Sequence, residues 1–257
     1  MKKETNYLFA GVIPARYSSS RYPGKPLVMI GNKIMIQRVY EQALKSIDIV
    51  FVATDDERIH DAVLNFGGRS VMTSPDHLSG TDRCAEAAEL ISGLTGMIID
   101  VVINIQGDEP FIRPEQINQL KTCFDDKAVE IATLVRINRP GEDIFNPNQP
   151  KVILDNKCNA IYFSRAAIPF IRDSESVNWT EEHTYYKHLG LYAYKTNTLK
   201  KITRLARSPL EIAESLEQNR WLENGYKIRT AVTEWESIGI DTPEDLKKAL
   251  THLNNFI

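Results

Sequence analysis

A short run of cations and hydroxyls stands directly after the first apolar stretch of the chain. Arg16, Arg21 and Lys25 alternate with three serines and a glycine between Pro14 and Pro26. Hydroxyl and backbone N–H groups donate to phosphate oxygens, and the cations balance the phosphate charge. The glycine spacing fits neither a Walker P-loop nor a dinucleotide-binding loop. We therefore interpret the run as a polyphosphate cradle, and the alternative is a solvated basic loop that binds nothing.

Two acidic turns carry oxygen ligands of the kind that Mg²⁺ prefers. Asp108 lies in Q-G-D-E-P, directly after the most apolar stretch, and Asp241 precedes the helix start T-P-E-D. One or two carboxylates together with substrate phosphates are the usual way to hold Mg²⁺. Each turn by itself could be an ordinary polar turn or a helix cap. Beside a phosphate cradle, the pair predicts a magnesium site if Asp108 and Asp241 lie close together.

Ser79, Thr81 and Arg83 belong to the motif S-G-T-D-R, with His77 just ahead. This pattern is typical of a helix N-terminus with good capping residues. Its donors would also suit a nucleotide base or a phosphate. The motif alone does not decide between these two interpretations.

A later group of polar residues is suited to a sugar acid. Arg165 could bind a substrate carboxylate with two hydrogen bonds. His188 and Tyr192 stand near each other on one apolar stretch. Glu217 and Gln218, which lie on a predicted helix, could bind sugar hydroxyls. The simpler explanation for any one residue of that helix is a solvated face.

The composition excludes several classes of protein. The chain has 257 residues, 42% hydrophobic and 25% charged, with a formal net charge of −3. These values are typical of a globular protein and disfavour one that wraps nucleic acid. No apolar run approaches the length of a membrane span. The three scattered cysteines indicate a reducing compartment, so we expect a cytoplasmic protein that needs neither a disulfide nor a structural metal to fold.

The apolar periodicity predicts the elements that position these residues. Strands at 8–13, 49–53, 70–72 and 101–106 alternate with helices at 33–46, 55–66 and 81–94. This order predicts a parallel sheet with helices on both faces. The pattern in the second half of the chain predicts strands at 131–135, 151–154, 160–163 and 189–194, which extend the sheet or form a small antiparallel subdomain. A helix at 211–223, a strand at 228–232 and a helix starting at Thr242 follow.

Eight motifs, in collinear order, identify a family. The first four are P-A-R-Y-S-S-S-R-Y-P-G-K-P, V-A-T-D-D-E-R-I, H-L-S-G-T-D-R and N-I-Q-G-D-E-P. The others are Y-F-S-R-A-A-I-P, K-H-L-G-L-Y-A-Y, S-P-L-E-I-A-E-S-L-E-Q and G-I-D-T-P-E-D-L. Together they closely resemble the CMP-Kdo synthetases, the 3-deoxy-manno-octulosonate cytidylyltransferases. The resemblance covers nearly the whole chain, and the combination is far more specific than any single motif.

The resemblance implies an α/β fold of the Rossmann-like nucleotidyltransferase type, with a mixed, mostly parallel sheet and a small antiparallel subdomain. It implies a homodimer that uses Mg²⁺ to join CTP and 3-deoxy-D-manno-octulosonate (Kdo), giving CMP-Kdo and diphosphate for lipopolysaccharide biosynthesis. We expect one domain over residues 1–257. Its nucleotide-binding half covers about 1–136, a sugar-acid and dimerisation subdomain covers about 137–210, and 211–257 return to the main sheet.

The resemblance also assigns roles to individual positions. It implies catalytic roles for Arg16, Lys25 and Asp108, and metal binding by Asp108 and Asp241. The residues expected to bind the nucleotide are Pro14, Ala15, Arg16, Arg21, Lys25, Ser79, Thr81 and Arg83. Those expected to bind the sugar acid are Gln106, Arg165, His188, Tyr192, Glu217 and Gln218. Asn219 departs from the leucine that is usual in the family, which affects the expected contacts of that helix.

Two other function classes stay open at this point. A sugar-1-phosphate nucleotidyltransferase would share the cradle but bind a phosphate acceptor, and a nucleotide sensor would keep the cradle without needing the metal pair. The Arg165 and His188 group argues against the former, and the presence of both Asp108 and Asp241 argues against the latter. The sequence does not distinguish Kdo from an amino-substituted analogue as acceptor.

Overall fold

The computed structural model of the protein describes residues 7–18, 22–236 and 238–252. The chain divides into two compact units. Unit 1 comprises Met1–Asn118, Ala193–Thr203 and Ser237–Ile257, and unit 2 comprises Gln119–Tyr192 and Arg204–Glu236. Unit 1 therefore takes segments from the beginning, middle and end of the chain.

The strands are β1 (Phe9–Ala15), β2 (Met29–Ile30), β3 (Lys33–Ile34), β4 (Ile49–Thr54), β5 (Ser70–Met72), β6 (Val101–Asn104), β7 (Ile131–Ile137), β8 (Lys151–Leu154), β9 (Ala160–Ser164), β10 (Tyr186–Lys195) and β11 (Ile228–Val232). The α-helices are α1 (Met35–Leu44), α2 (Glu57–Asn65), α3 (Gly80–Thr95), α4 (Pro114–Thr122), α5 (Trp179–Glu182), α6 (Thr196–Ile202), α7 (Pro209–Glu214), α8 (Glu217–Glu223) and α9 (Pro243–His252). Short 3₁₀ turns occupy Lys25–Leu27, Cys123–Asp125 and Ser176–Asn178.

In unit 1 the strands follow the order β6-β1-β4-β5, and these neighbours run parallel. Gly11 of β1 stands opposite Val50 of β4 on one side and Ile103 of β6 on the other. Strands β4 and β6 are buried along their whole length, which explains their continuous apolar sequences. Because parallel strands end at the same edge of a sheet, the segments after β1 and β6 leave it side by side.

Two helices of unit 1 begin with reciprocal capping, as their sequences predict. The Ser79 hydroxyl accepts from the Asp82 N–H at 3.1 Å, and the Asp82 carboxylate accepts from the Ser79 N–H at 3.1 Å. Thr242 and Asp245 form the same pair at the start of α9. Such caps satisfy backbone N–H groups that have no partner inside the helix, and they fix where α3 and α9 leave the preceding loops.

In unit 2, β7 and β11 pair in parallel, and β8 pairs antiparallel with both β9 and β10. The β8–β9 turn is stabilised by Asp155. Its carboxylate accepts from the N–H groups of Lys157 and Asn159, both at 2.8 Å. The antiparallel hairpin of the later half is therefore present.

The fold class predicted from the sequence is confirmed: strands and helices form a mixed, mostly parallel arrangement, with β2 and β3 as a separate antiparallel pair. That pair and the helices α4, α5 and α6 were not predicted from the sequence. No helix in the part of the chain that the structure describes has the length and apolarity needed to cross a membrane.

The prediction of one continuous helix over 211–223 is wrong. Ser215 adopts the left-handed conformation (φ 49°) and Leu216 is extended, so α7 ends and α8 begins in between. A continuous helix would place Glu214 and Glu217 on one face, three residues apart. The break sends the Glu214 carboxylate to β9, where it accepts from Ser164 Oγ at 2.6 Å, while Glu217 accepts from Arg220 at 2.7 Å.

Candidate functional site

The cradle loop after β1 is closed by a hydrogen bond across its width. The Gly24 N–H donates to the Tyr17 carbonyl at 2.8 Å, and Gly24 has a φ of 72°. A side chain at Gly24 would be strained by that φ and would meet the Tyr17 ring at 3.2 Å. The ring in turn lies under the Arg58 guanidinium, 3.3 Å from its centroid. This closure sets the starting point of the 3₁₀ turn that carries Lys25.

Lys25 brings the two predicted metal ligands together within unit 1. Its Nζ lies 2.5 Å from Asp108 Oδ2 and 2.8 Å from Asp241 Oδ1. The Ile240 N–H donates to the Asp108 carbonyl at 2.9 Å, which holds the two acidic turns side by side. Burial would lower the pKa of the Lys25 ammonium, but the charge of Asp108 and the hydrogen bonds to both carboxylates raise it. The lysine therefore stays charged.

A cavity of about 320 Å³ surrounds this cluster. It is lined by Pro14, Ala15, Arg16, Ser18, Lys25, Pro26, Gln106, Gly107, Asp108 and Asp241. Residues from the ends of two neighbouring strands thus face one space, as ligand sites of open α/β sheets do. Gln106 lines this cavity of unit 1, whereas the resemblance assigns it to the sugar acid. We call this space the unit 1 cavity.

Gly107 makes the close approach of the two loops possible. A Cβ at this position would stand 2.9 Å from the Pro14 carbonyl oxygen. That separation is too short for any side chain unless the backbone moves. The glycine thereby lets Asp108 reach the end of β1, a role that the Q-G-D-E-P motif alone did not reveal.

The donor set of the unit 1 cavity fits Mg²⁺. Carboxylate oxygens of Asp108 and Asp241 already converge on one cation, the Lys25 ammonium. Oxygen donors of this kind suit a hard divalent cation that also takes phosphate oxygens and water. Within the described ranges, no group of three or more His, Cys, Asp or Glu side chains is arranged to bind a metal. The two carboxylates would be only part of a ligand set that phosphates complete, and metal binding by Asp108 and Asp241 stays a prediction.

The remaining residues predicted to bind the nucleotide occupy different positions. Arg16 lines the cavity, and Arg21 lies outside the described residues. Ser79 caps α3, and Arg83 is fully buried, donating to Thr73 Oγ1 at 2.5 Å. Ser79, Thr81 and Arg83 are not among the lining residues of the cavity. Their contact with a nucleotide stays a prediction.

In unit 2, the polar residues predicted to bind a sugar acid meet on β10 and α8. The His188 and Tyr192 rings lie 5.2 Å apart, and Tyr192 packs on Trp221 of α8 at 5.3 Å. Glu217 and Gln218 belong to the same helix. We call His188, Tyr192, Glu217 and Gln218 the β10–α8 polar group.

Thr133 of β7, which the sequence did not single out, sets the proton position on His188. Its hydroxyl lies 3.2 Å from His188 Nε2 and donates to the Leu191 carbonyl at 2.8 Å. We assign the Thr133 hydrogen to that carbonyl, so that Thr133 accepts from Nε2–H and Nδ1 is an acceptor. Burial lowers the pKa of His188 to about 3. The imidazole is therefore neutral near neutral pH and offers hydrogen bonds without charge.

Gln218 and its neighbour Asn219 have contrasting surroundings. Both side chains are buried, at 5% and 0% exposure. Asn219 Nδ2 donates to the Phe163 carbonyl at 3.0 Å, and its Oδ1 accepts from the Phe163 N–H at 3.4 Å. Gln218 Nε2 has no hydrogen-bond partner among the residues that the structure describes. The departure at Asn219 is thus structural, and Gln218 keeps a donor for a ligand.

Arg165 is held by backbone carbonyls. Its Nε, Nη1 and Nη2 donate to the carbonyls of Glu214, Pro147 and Ser215 at 2.6, 2.8 and 3.2 Å. A guanidinium has five N–H donors, so two remain for a ligand. This arrangement fixes the orientation of the side chain, and its contact with a sugar acid stays a prediction.

A larger cavity of about 490 Å³ also lies in unit 2. It opens beside the first residues of β7 and β11 and contains none of the predicted site residues. Its Arg229 already donates to Asn159 and Asp126, each at 3.0 Å. We therefore assign the chemistry to the smaller cavity, where charged side chains converge.

Comparison with known proteins gives a consistent result. Residues 10–228 match the cytidylyltransferase family. The 3-deoxy-manno-octulosonate cytidylyltransferase of Parabacteroides distasonis is 58% identical over 251 residues, which is 96% of this chain and 98% of that protein. The protein of the same name from Bacteroides thetaiotaomicron is 57% identical over 250 residues, again 96% of this chain and 98% of that one.

A solved structure extends the similarity to three dimensions. CMP:2-keto-3-deoxy-manno-octonic acid synthetase, in complex with CTP, matches with a TM-score of 0.87 and 42% sequence identity. The match covers 97% of this chain and 99% of that chain. The similarity in sequence and in fold therefore extends over almost the full length of both chains.

Proposed function

The chain belongs to the cytidylyltransferase family, and we propose that it uses Mg²⁺ to join CTP to 3-deoxy-D-manno-octulosonate (Kdo). The products are CMP-Kdo and diphosphate. CMP-Kdo is then used for lipopolysaccharide biosynthesis, and the reaction takes place in the cytoplasm. Support comes from the names of the similar full-length proteins and from the CTP held by the similar structure.

The observation that carries the proposal is the convergence of Lys25, Asp108 and Asp241 in the unit 1 cavity. In this reaction the anomeric hydroxyl of the sugar acid attacks the α-phosphorus of CTP, and diphosphate leaves. Such transfers are catalysed mainly by positioning and by stabilising charge. A cavity that combines two cations with two convergent carboxylates matches those two requirements.

Each residue of the unit 1 cavity has a role in this proposal. Lys25 and Arg16 bring positive charge to the triphosphate and stabilise the departing diphosphate. Asp108 and Asp241 would hold Mg²⁺, which, when bound, neutralises phosphate charge and polarises the oxygens it contacts. Gly107 keeps Asp108 close to the end of β1.

In the β10–α8 polar group, His188 and Gln218 supply uncharged donors and acceptors for the sugar acid, whereas the Glu217 carboxylate already accepts from Arg220. His188 is neutral and presents Nδ1 as an acceptor for a hydroxyl. The buried Gln218 amide offers its N–H groups. A buried donor without a partner is costly, so a ligand that accepts from Gln218 binds with both affinity and selectivity.

Diphosphate release with CTP, Mg²⁺ and a panel of acceptors tests the function. We expect release with Kdo and none with a sugar 1-phosphate or without acceptor. Release with the sugar 1-phosphate would instead favour that class of nucleotidyltransferase, and binding of CTP without any turnover would favour a sensor. Parallel reactions with an amino-substituted Kdo analogue identify the preferred acceptor.

We also propose a homodimer. In unit 2, Phe145 and Phe170 are half or more exposed and pack on the buried Trp179, with ring centroids 5.6 and 5.0 Å away. Val177 is also exposed nearby in the chain. This aromatic surface is what such a dimer would bury. Light scattering after size exclusion should give twice the chain mass, and Phe170→Ser should lower it if this surface forms the interface.

A further inference from the structure

The guanidinium of Arg16 is held by the backbone of another segment of unit 1. Its Nη2 donates to the carbonyl oxygen of His77, 61 positions further along the chain. His77 belongs to the loop between β5 and α3, which does not line the unit 1 cavity and which ends at Ser79, one of the residues expected to bind the nucleotide. The orientation of Arg16, which faces the triphosphate in the proposed reaction, therefore depends on the position of this loop.

Glu86 of α3 ties that loop down at two points. Its Oε2 accepts from the Ser74 N–H at 2.9 Å and also pairs with Nε2 of the His77 ring. Ser74 and His77 lie near the two ends of the loop, so a single carboxylate clamps both.

Arg83 reinforces this arrangement from the same face of α3. It lies three residues before Glu86, so the two side chains project from neighbouring positions on the helix. The buried guanidinium donates to Thr73 Oγ1 at 2.5 Å and pairs with Asp55 at 3.3 Å. The start of the loop, at Thr73, is thus also attached to α3.

Glu86 keeps its charge in this environment. Burial would raise the pKa of the Glu86 carboxyl, but the hydrogen bonds from His77 and Ser74, with the charge of Arg83 nearby, hold it below its ordinary value. The carboxylate therefore remains an acceptor for both of its partners near neutral pH.

We propose that Glu86 is a positioning residue for nucleotidyl transfer: by clamping Ser74 and His77 it fixes the His77 carbonyl, which aims the Arg16 guanidinium at the triphosphate. This role rests on the proposed function, because it requires that Arg16 contacts the transferred nucleotide. The chain of contacts runs from the Glu86 carboxylate to the His77 ring, and from the His77 carbonyl to Arg16.

A double-mutant cycle separates this role from a contribution to folding. Glu86→Ala should lower kcat/KM for CTP by about tenfold or more, since misplacing a catalytic group by about 1 Å costs that much. KM for the sugar acid should not change. In an Arg16→Lys background the same substitution should cost less than about twofold, because residues acting through one another are not additive.

Glu86→Gln and Glu89→Ala are the matched controls. Glutamine keeps an oxygen that accepts from Ser74 and His77, so it should restore most of the lost activity. Glu89 is on the same helix, exposed, and paired with Lys200 at 2.8 Å. Its removal deletes an equal charge and should leave kcat and KM within about twofold of the unmutated protein.

Three outcomes would overturn the positioning role. They are an unchanged kcat/KM in a folded Glu86→Ala, a loss of the same size in the Arg16→Lys background, and, where Glu86→Ala does not fold, a Glu86→Gln that loses as much kcat/KM with Arg16→Lys as without it. The unmutated protein is assayed alongside. No CTP turnover there would overturn the proposed function, whereas normal turnover with an unchanged Glu86→Ala would overturn only this inference.

Discussion

The unit 1 cavity and the β10–α8 polar group of unit 2 are built in opposite ways. In unit 1, charged side chains stand on loops at strand ends and balance one another, as Lys25 does between Asp108 and Asp241. In unit 2, uncharged donors and acceptors stand on a strand and a helix and are shielded from solvent: Gln218 is buried, and His188 is half-buried and neutral. The charged site is suited to a polyphosphate and a cation, whereas the buried one is suited to a ligand with defined hydroxyl positions.

The difference indicates that the two sites contribute differently to ligand selectivity. Charges that face a triphosphate bind every nucleoside triphosphate similarly, so they supply rate and affinity. Buried hydrogen-bonding groups reject a ligand that leaves them unpaired, so they supply discrimination. Mutagenesis, nucleotide preference and pH all test this contrast.

Asp108→Asn should remove most activity, by a factor on the order of 10² or more, while leaving the fold intact. The amide keeps the shape of the side chain but loses the charge that attracts Mg²⁺ and balances Lys25. Turnover measured over a range of Mg²⁺ concentrations checks this. Asp61→Asn, an exposed position on α2, is the control. Near-normal turnover of Asp108→Asn at limiting Mg²⁺ would remove Asp108 from the metal site.

CTP should be preferred over UTP by about tenfold to a hundredfold in kcat/KM, although the charged groups of unit 1 do not distinguish them. Cytosine presents an amino donor where uracil presents a carbonyl, and a mismatched buried polar group costs about 1–3 kcal/mol. The carbonyls of Pro14 and Ala15, two cavity-lining residues, are where we place this readout. Equal kcat/KM values for the two nucleotides would contradict the cytidylyltransferase function.

His188 should make the protein less stable as the pH falls below about 6.5. Burial lowers its folded-state pKa to about 3, while in the unfolded chain it titrates near its ordinary value. The unfolded state therefore binds more protons between these two values, and stability falls with decreasing pH by up to about 1.4 kcal/mol per unit.

Denaturant unfolding at pH 7 and pH 5 measures this effect. His188→Gln should reduce the difference between the two unfolding free energies, and His183→Gln, at an exposed position of the same unit, should not. A difference that is the same in His188→Gln and the unmutated protein would show that His188 is not kept neutral by folding.

Gln218→Leu should raise KM for the sugar acid about fivefold to tenfold and leave KM for CTP unchanged, because it removes one hydrogen bond to the ligand. The unfolding free energy should not decrease, since the substitution also removes a buried donor without a partner. Asn219→Leu, at the next position, should instead lower the unfolding free energy and leave KM for the sugar acid unchanged, because the Asn219 amide bonds both backbone groups of Phe163. An unchanged KM for the sugar acid in Gln218→Leu would place the ligand elsewhere.

The sequence predicted the parts of the molecule that follow local rules. The strands of the sheet and the caps at Ser79 and Thr242 depend on neighbouring residues and could be predicted, whereas phosphate binding by the loop after β1 stays a prediction. The approach of Asp241 to Asp108 depends on the folded chain, so the sequence supplied the residue types without their separation. The structure shows that both carboxylates contact one ammonium group.

Other features depend on partners that no pattern specifies. The break at Ser215 requires a left-handed residue within an otherwise helical sequence. Arg165 was predicted to contact the substrate, but its hydrogen bonds to three backbone carbonyls could not be predicted from the sequence. Glu86 was not singled out, although its position one turn after Arg83 on a capped helix is a signal that could have revealed it.

The late arrival of Asp241 has a consequence for how the protein is made. Asp241 contacts Lys25 from 216 positions further along the chain. A ribosome that adds 5–20 residues per second needs roughly ten to forty seconds to synthesise that interval. During this time the nascent chain has Lys25 and Arg16 but lacks the second carboxylate. Because unit 1 also takes its last segment, Ser237–Ile257, from the end of the chain, we expect the cluster of Lys25, Asp108 and Asp241 to form only when synthesis is nearly complete.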